Sequence, residues 1–327
     1  MRVLIVKLSS LGDVVHCMPV VHDIRSAFPQ AVIDWVVEPG FAPLVRRVSG
    51  IGEVIECAIR RWRKVWWSGT VRSEWRTFRK RMAREQYDAV IDLQGLTKSA
   101  FVARLARGPS YGLANRTDGA SHEAPARWLV DRAIRIEPRT HALDRSRELV
   151  AQALGFAFQG PPVFGLVGHP DAAARPTVAL IHGTSRDDKL WPEADWVALG
   201  RRLMETGHAI GLPHGGAAER ERAERIAVAL GPAAEVWPAM SLDAIVDRLA
   251  SMRGVIGVDS GLSHIAVALD LPHVQLYNFP TAWRTGPQAS HGHRHQVSVE
   301  RDPCPTLDEV WSAWCEVSAS RAVAGAQ

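Results

Sequence analysis

Apolar residues gather along this chain in short runs separated by longer amphipathic stretches, and the alternation holds almost from end to end. The runs Val3–Leu8, Ala31–Val37, Glu53–Ile59, Ala89–Leu93 and Tyr111–Ala114 are rich in β-branched residues and too short for buried helices, so they predict strands. Between them, apolar positions recur every three or four residues near 14–27, 41–48, 72–85 and 97–106, which predicts helices. A Pro- and Gly-rich stretch then breaks the pattern. The alternation restarts with strands over 178–182, 209–213, 234–237, 254–258 and 273–277 and helices near 193–205, 217–230, 241–250 and 261–269. Strand–helix–strand units of this length demand parallel, doubly wound sheets. The expected fold class is therefore α/β, with two Rossmann-like domains, 1–160 and 177–305, a linker at 161–176 and a cleft between the domains. A closing helix at about 306–323 carries Trp311 and Trp314 and is expected to pack back across the first domain.

Composition narrows the class. With 327 residues, 46% hydrophobic and 23% charged, each half is large enough to bury its own core. The four cysteines (Cys17, Cys57, Cys304, Cys315) lie far apart and suggest neither a disulfide framework nor a zinc site. Lys7 and Asp13 interrupt the first apolar run and no small-residue cleavage site follows, so no signal peptide is expected. No stretch reaches the roughly 18 apolar residues of a membrane span. The net charge of +4 is modest, and its placement says more than its sum.

In open α/β sheets ligands bind beyond the carboxyl ends of the strands, so the loops that leave those ends are where chemistry is expected. The first is Ser9-Ser10-Leu11-Gly12-Asp13, in which Ser and Gly can cap a helix and Asp13 is either a base or a helix-terminal carboxylate. It has no Gly-x-Gly-x-x-Gly, which argues against a dinucleotide dehydrogenase. The first strand of the second half runs into His182-Gly-Thr184-Ser185-Arg-Asp-Asp-Lys189, where hydroxyls and cations make either a pyrophosphate cradle or a solvated loop. Asp259-Ser260-Gly261-Leu-Ser-His264 opens another helix after a strand, as a phosphate or ribose contact or as a simple capped turn. The segment Arg60–Arg84 holds ten Lys or Arg residues against the single acid Glu74, interleaved with Trp62, Trp66, Trp67 and Trp75, which suits an anionic partner at an interface. His291, His293 and His295 have no carboxylate or Cys close by in sequence, so no metal is expected there.

These motifs, taken in order, resemble the heptosyltransferases of lipopolysaccharide core synthesis, glycosyltransferase family 9. The resembling segments are Val3-Leu-Ile-Val-Lys-Leu-Ser-Ser-Leu-Gly-Asp13, Asp34-Trp-Val-Val-Glu38, Ala58-Ile-Arg-Arg-Trp-Arg-Lys64, Tyr87 through Gly95, Thr184 through Pro192 and Gly257 through His264. They span almost the whole chain. The resemblance implies a GT-B architecture, inversion at the transferred sugar, no cofactor or essential metal, and action in the cytoplasm, peripherally on the inner membrane. It implies Asp13 as general base and Lys189 as pyrophosphate ligand, with Thr184, Ser185, Glu219, Asp259, Ser260, Gly261 and His264 on the donor; Glu221 competes with Glu219 for the ribose. Ser10, Gly12, Gln94, Arg60, Arg61, Arg63 and Lys64 become the acceptor contacts. The partners implied are ADP-heptose and the Kdo of Kdo2-lipid A, and no nucleic acid. Ser121-His122-Glu123 has His where the family carries Arg, and Asn278-Phe-Pro-Thr281 replaces a Gly-Pro-Thr. The basic segment and the Asp13 loop point to the first transferase of the series. The alternatives are the second transferase or another core nucleotide-sugar transferase and, outside enzymes, a nucleic-acid-binding α/β protein.

Overall fold

The computed structural model describes residues 1–324, which divide into two compact units at Leu166/Val167. The first unit holds a six-stranded, wholly parallel sheet of β1 (Arg2–Val6), β2 (Val32–Val37), β3 (Ile51–Glu56), β4 (Ala89–Asp92), β5 (Ser110–Leu113) and β6 (Arg132–Ile134), in the order β3-β2-β1-β4-β5-β6. Helices cover its faces, so central strands must be apolar on both sides. Val3, Leu4, Ile5 and Val6 accordingly have no exposed surface. Each such side chain contributes roughly 1.5–3 kcal/mol when fully buried, which fixes β1 at the centre.

Among the features of this unit that went beyond the sequence pattern are two helices. The run expected as a strand over 53–59 ends at Glu56, and Ile59–Lys64 is instead a helix that starts the basic segment; Gly69–Met82 continues it. The helix Ala142–Leu154 was not expected at all. It buries Arg147, whose guanidinium donates to both Asp23 oxygens at 2.7 and 2.9 Å. Removing one partner of such a buried pair typically costs about 3–5 kcal/mol.

The second unit repeats the topology. Its strands β7 (Thr177–Ile181), β8 (Ala209–Leu212), β9 (Ala234–Val236), β10 (Gly254–Val258), β11 (His273–Tyr277) and β12 (Gln296–Glu300) are all parallel, in the order β12-β11-β10-β7-β8-β9. The closing helix, Leu307–Ala324, lies against β11 and β12, and Val310, Trp314 and Val317 join the second unit's own core. Trp314 thus belongs to the core of the second unit. Gly254 shows why: a Cβ there would sit 2.6 Å from the Trp314 ring and 2.7 Å from the Pro272 carbonyl, so only Gly lets the indole lie on the strand. No helix among the described residues is long and apolar enough to cross a membrane.

Candidate active site

In each sheet the strand order reverses once, between β1 and β4 and between β7 and β10, and the crevice of a doubly wound sheet lies outside the carboxyl ends of the two strands at that reversal. In the first unit β1 runs out into Lys7 and the loop Leu8–Ser10. The Lys7 side chain is buried and donates to the Leu93 carbonyl at 3.3 Å. Ser10 caps the helix Leu11–Cys17, which starts beside Gly12, and Asp13 sits at its third position. One Asp13 carboxylate oxygen accepts from the Ser10 amide at 3.0 Å and from the Ser10 hydroxyl at 2.6 Å. Capping and loop chemistry therefore belong to one side chain. Burial alone pushes the Asp13 carboxyl up, but the Lys7 charge, the two Ser10 hydrogen bonds and His16 outweigh it and hold it well below the usual carboxylate range.

Three further strand ends brace this loop. Gln94, two residues past β4, accepts from the Leu8 amide at 2.9 Å and points its own amide at the Ser9 hydroxyl, 3.4 Å away. Asp92, the last residue of β4, orients it by accepting from the Gln94 amide and the Ser99 hydroxyl, both at 2.9 Å. Burial pushes the Asp92 carboxyl up to about 6, although those hydrogen bonds and Lys7 oppose it. From beyond β3, Arg60 donates to the Ser9 hydroxyl at 2.8 Å, while its backbone amide donates to Glu38 at 3.2 Å at the end of β2. The structure thus gathers Ser10, Gly12, Asp13, Gln94 and Arg60. It does not gather the whole basic cluster: Arg61 is paired with Glu74, which also accepts from the Trp62 indole at 2.7 Å, and Arg63 and Lys64 are exposed.

In the second unit the loop after β7 meets the loop after β10. Lys189 Nζ lies 2.5 Å from one Asp259 oxygen, and His264 Nε2 lies 3.3 Å from the other. The Thr184 hydroxyl donates to the Asp259 carbonyl at 3.1 Å. Burial pushes the Asp259 carboxyl up, but His264 and Lys189 prevail and hold it well below the usual range. Ser260 is the N-cap of the helix Gly261–Ala268, and its hydroxyl makes no cap bond, which leaves the amides of that helix start available to an anion. Ser185 is exposed at the tip of the β7 loop. Glu219 accepts from the Gly215 amide at 2.6 Å and packs so close to Gly183 that a Cβ there would come within 2.6 Å of its carboxyl carbon. Glu221 is exposed, and its charge acts on Arg225.

A hydroxyl-and-cation cradle of this kind fits a nucleoside diphosphate, and an ionised carboxylate in the loop at the other crevice fits proton removal from a sugar hydroxyl. Residues 75–312 match the sequence profile of glycosyltransferase family 9 (heptosyltransferase). The chain belongs to this family. It is 43% identical over 284 residues to lipopolysaccharide heptosyltransferase 1 of Escherichia coli strain K12, covering 85% of this chain and 88% of that one. The counterpart from Pseudomonas aeruginosa is 42% identical over 311 residues, 93% of this chain and 85% of its own. Lipopolysaccharide heptosyltransferase 2 of E. coli K12 is more distant, at 26% over 89% of this chain and 86% of its own. The solved structure of E. coli heptosyltransferase WaaC with ADP superposes with a TM-score of 0.85 at 36% identity, covering 97% of this chain and 100% of that one. The protein is therefore a glycosyltransferase of GT-B architecture.

Several residues of this transferase's site carry no signal in the sequence pattern. Lys7 and Asp92 read there as parts of strands, yet one helps hold the Asp13 carboxyl low and the other holds Gln94. Glu38 anchors Arg60. Asn278 donates to the carbonyls of Asp188 at 2.9 Å and Leu190 at 3.0 Å, clasping the loop that carries Lys189. That departure from Gly-Pro-Thr thus has a bracing role. The only available clue was position: each of these residues sits at or just beyond a strand's carboxyl end.

Proposed function

We propose that this transferase moves L-glycero-D-manno-heptose from ADP-heptose to the Kdo of Kdo2-lipid A. Asp13 takes the proton from the attacking acceptor hydroxyl as its oxygen bonds to the anomeric carbon. The bond from that carbon to the distal phosphate oxygen breaks, and ADP leaves carrying the charge. Lys189, Thr184, Ser185 and the helix start at Ser260-Gly261 stabilise that charge, which is where a preorganised site is most effective. Glu219 takes the ribose hydroxyls, and Asp259 and His264 the transferred sugar. A single displacement with one base inverts the anomeric centre. Ser10, Gly12, Gln94 and Arg60 orient the acceptor, and Arg61, Arg63 and Lys64 extend a basic surface towards its phosphates.

The observation that carries this reading is the charge arrangement at the two strand-order reversals: a Lys189–Asp259–His264 cluster at one and an ionised Asp13 at the other. The named relatives support the donor and acceptor, and the solved complex of WaaC with ADP-2-deoxy-2-fluoro heptose, 37% identical over 95% of this chain, supports an ADP-sugar. The greater distance of heptosyltransferase 2 favours the first transfer over the second. The basic segment and exposed Trp66 and Trp67 support peripheral contact with the cytoplasmic face of the inner membrane. The test is product formation from purified protein, ADP-heptose and Kdo2-lipid A, with UDP- and GDP-sugars as competing donors. Equal use of those donors, or heptose transfer only to an acceptor that already bears one, would overturn the assignment.

A further inference from the structure

Beside the Asp13 loop the first unit carries an open groove of about 730 Å³, within the roughly 300–1,000 Å³ typical of small-molecule sites. Its walls are aromatic and aliphatic. Trp75 stacks on Phe101 with ring centroids 6.1 Å apart and planes at 10°, and Trp62, Trp66 and Leu129 complete the lining. Two of these side chains lie open to solvent, Trp66 at 68% and Phe101 at 45%. Large apolar groups left in one exposed concavity mark a binding surface. The rim carries charge of one dominant sign: Arg63, Arg72 and Lys98 face a single acid, Glu123, whose carboxylate accepts from the Thr97 amide at 2.8 Å.

One short helix contributes to both the groove and the Asp13 loop. Ile59–Lys64 presents Arg60 to the Ser9 hydroxyl and, within one turn, Trp62 and Arg63 to the groove. Residues three apart on a helix lie about 5–6 Å apart. A substrate at the Asp13 loop therefore has, within one helical turn, an apolar groove with a cationic rim. That combination matches an anionic amphiphile: phosphate on the rim, hydrocarbon within.

We propose that this groove holds a fatty acyl chain of the acceptor's own lipid anchor, with the anchor's phosphate against Arg63, Arg72 and Lys98; the proposal rests on the lipid A acceptor reading given above. The groove makes the enzyme select for an acylated acceptor and fixes how the sugar approaches Asp13. Each methylene buried strengthens binding about fourfold, equivalent to about 0.8 kcal/mol.

The experiment compares Kdo2-lipid A with the same glycophosphate after removal of its acyl chains, for wild type, Phe101→Ala, Trp66→Ala and Trp128→Ala. Trp128 is as exposed as the groove aromatics, at 70%, but does not line the groove, so it reports general insertion into a lipid surface. Phe101→Ala and Trp66→Ala should each raise the apparent KM for the acylated acceptor about tenfold, the loss of contact with one or two methylenes, and leave that for the deacylated one within about twofold. Trp128→Ala should alter neither. The proposal is overturned if wild type does not distinguish the two acceptors, if the groove variants shift both KM values alike, or if Trp128→Ala matches them. A Kdo2-lipid A with a photoreactive group in its acyl chain decides the matter independently of turnover. Crosslinks within residues 59–75 and 97–103, or at Glu123 or Leu129, support the groove, and crosslinks elsewhere refute it. Crosslinking in the groove without transfer to either acceptor would overturn the functional assignment and leave the groove standing.

Discussion

Asp13→Asn separates the helix-capping contacts of this side chain from its proposed role as base. The substitution keeps the shape and one hydrogen-bond acceptor but removes the charge. On the structural side, the amide can still accept from the Ser10 amide or hydroxyl, so the cap is weakened and not lost. Losing a capping partner costs about 0.5–2 kcal/mol and losing a favourable helix-terminal charge about 0.3–1 kcal/mol, so about 1 kcal/mol overall is expected. Against a typical stability of about 5–15 kcal/mol the variant stays folded, with Tm lowered by roughly 2–4 °C. On the chemical side, loss of a positioned base costs about 10²-fold or more in kcat, equivalent to about 2.7 kcal/mol of barrier. The barrier effect thus exceeds the stability effect and cannot be produced by it at assay temperature. The carboxyl's folded value is depressed, so its stabilising contribution is present above the ordinary unfolded value and disappears only as pH falls through the lower, folded one. Between pH 6 and 9 the ratio of wild-type to variant kcat should therefore be constant. The assay is kcat at saturating donor and acceptor, with Tm and calorimetric ADP affinity on the same samples. A fall in kcat of less than about threefold, alongside the expected drop in Tm, would leave Asp13 as a capping residue only.

Lys189→Ala should weaken ADP binding about tenfold or more, because a charge-assisted contact to phosphate is worth about 1.5–3 kcal/mol; unchanged calorimetric affinity with normal turnover contradicts the assignment. Replacing Arg60, Arg63 and Lys64 together with Ala should raise the acceptor KM and blunt its salt dependence while sparing the donor KM, whereas equal effects on both substrates indicate misfolding. His182 and His273 are fully buried, and burial pushes both from the ordinary 6.5 down to about 4. Each is neutral in the fold but protonated in the unfolded chain across that window, so stability present above pH 6.5 is lost as pH falls towards 4, by about 2.7 kcal/mol per pH unit at the steepest. Urea unfolding at pH 7.0 and 5.5 measures this, and identical midpoints would refute it.

How much of this was legible in the sequence follows from where each element lies. Central strands are largely apolar on both faces, and β1, β2, β4, β7 and β10 appear directly as Val- and Ile-rich runs. The strands that escaped notice are sheet edges: Arg132–Ile134 is three residues long and mostly exposed, and Gln296–Glu300 is half-buried with three polar positions of five. Ala142–Leu154 escaped because two of its buried positions are Arg145 and Arg147, which break the apolar pattern, and the Asp23 that compensates Arg147 is 124 residues away. The site divides in the same way. Asp13 and the Lys189 loop stand out because polar residues directly follow apolar strands. Glu38 and Asn278 act through partners distant in the sequence, which no local pattern encodes, whereas Asp92 bonds its near neighbours Gln94 and Ser99 but reads as the end of an apolar strand.

The ion pair between Lys189 and Asp259 also sets a threshold for what the second crevice admits. The cation is already answered by a carboxylate 2.5 Å away, so an arriving anion must replace a partner that the fold supplies at no loss of motional freedom. A small monovalent ion brings one charge and one contact, and loses that contest. In the proposed reading a nucleoside diphosphate brings several charges and meets Thr184 and the helix start at Gly261 together. Selectivity would then arise from competition with an internal counter-charge, which disfavours ambient salts without a steric gate. On that reading the Asp259 oxygen released by Lys189 accepts from a hydroxyl of the sugar, so one carboxylate serves first as counter-charge and then as contact.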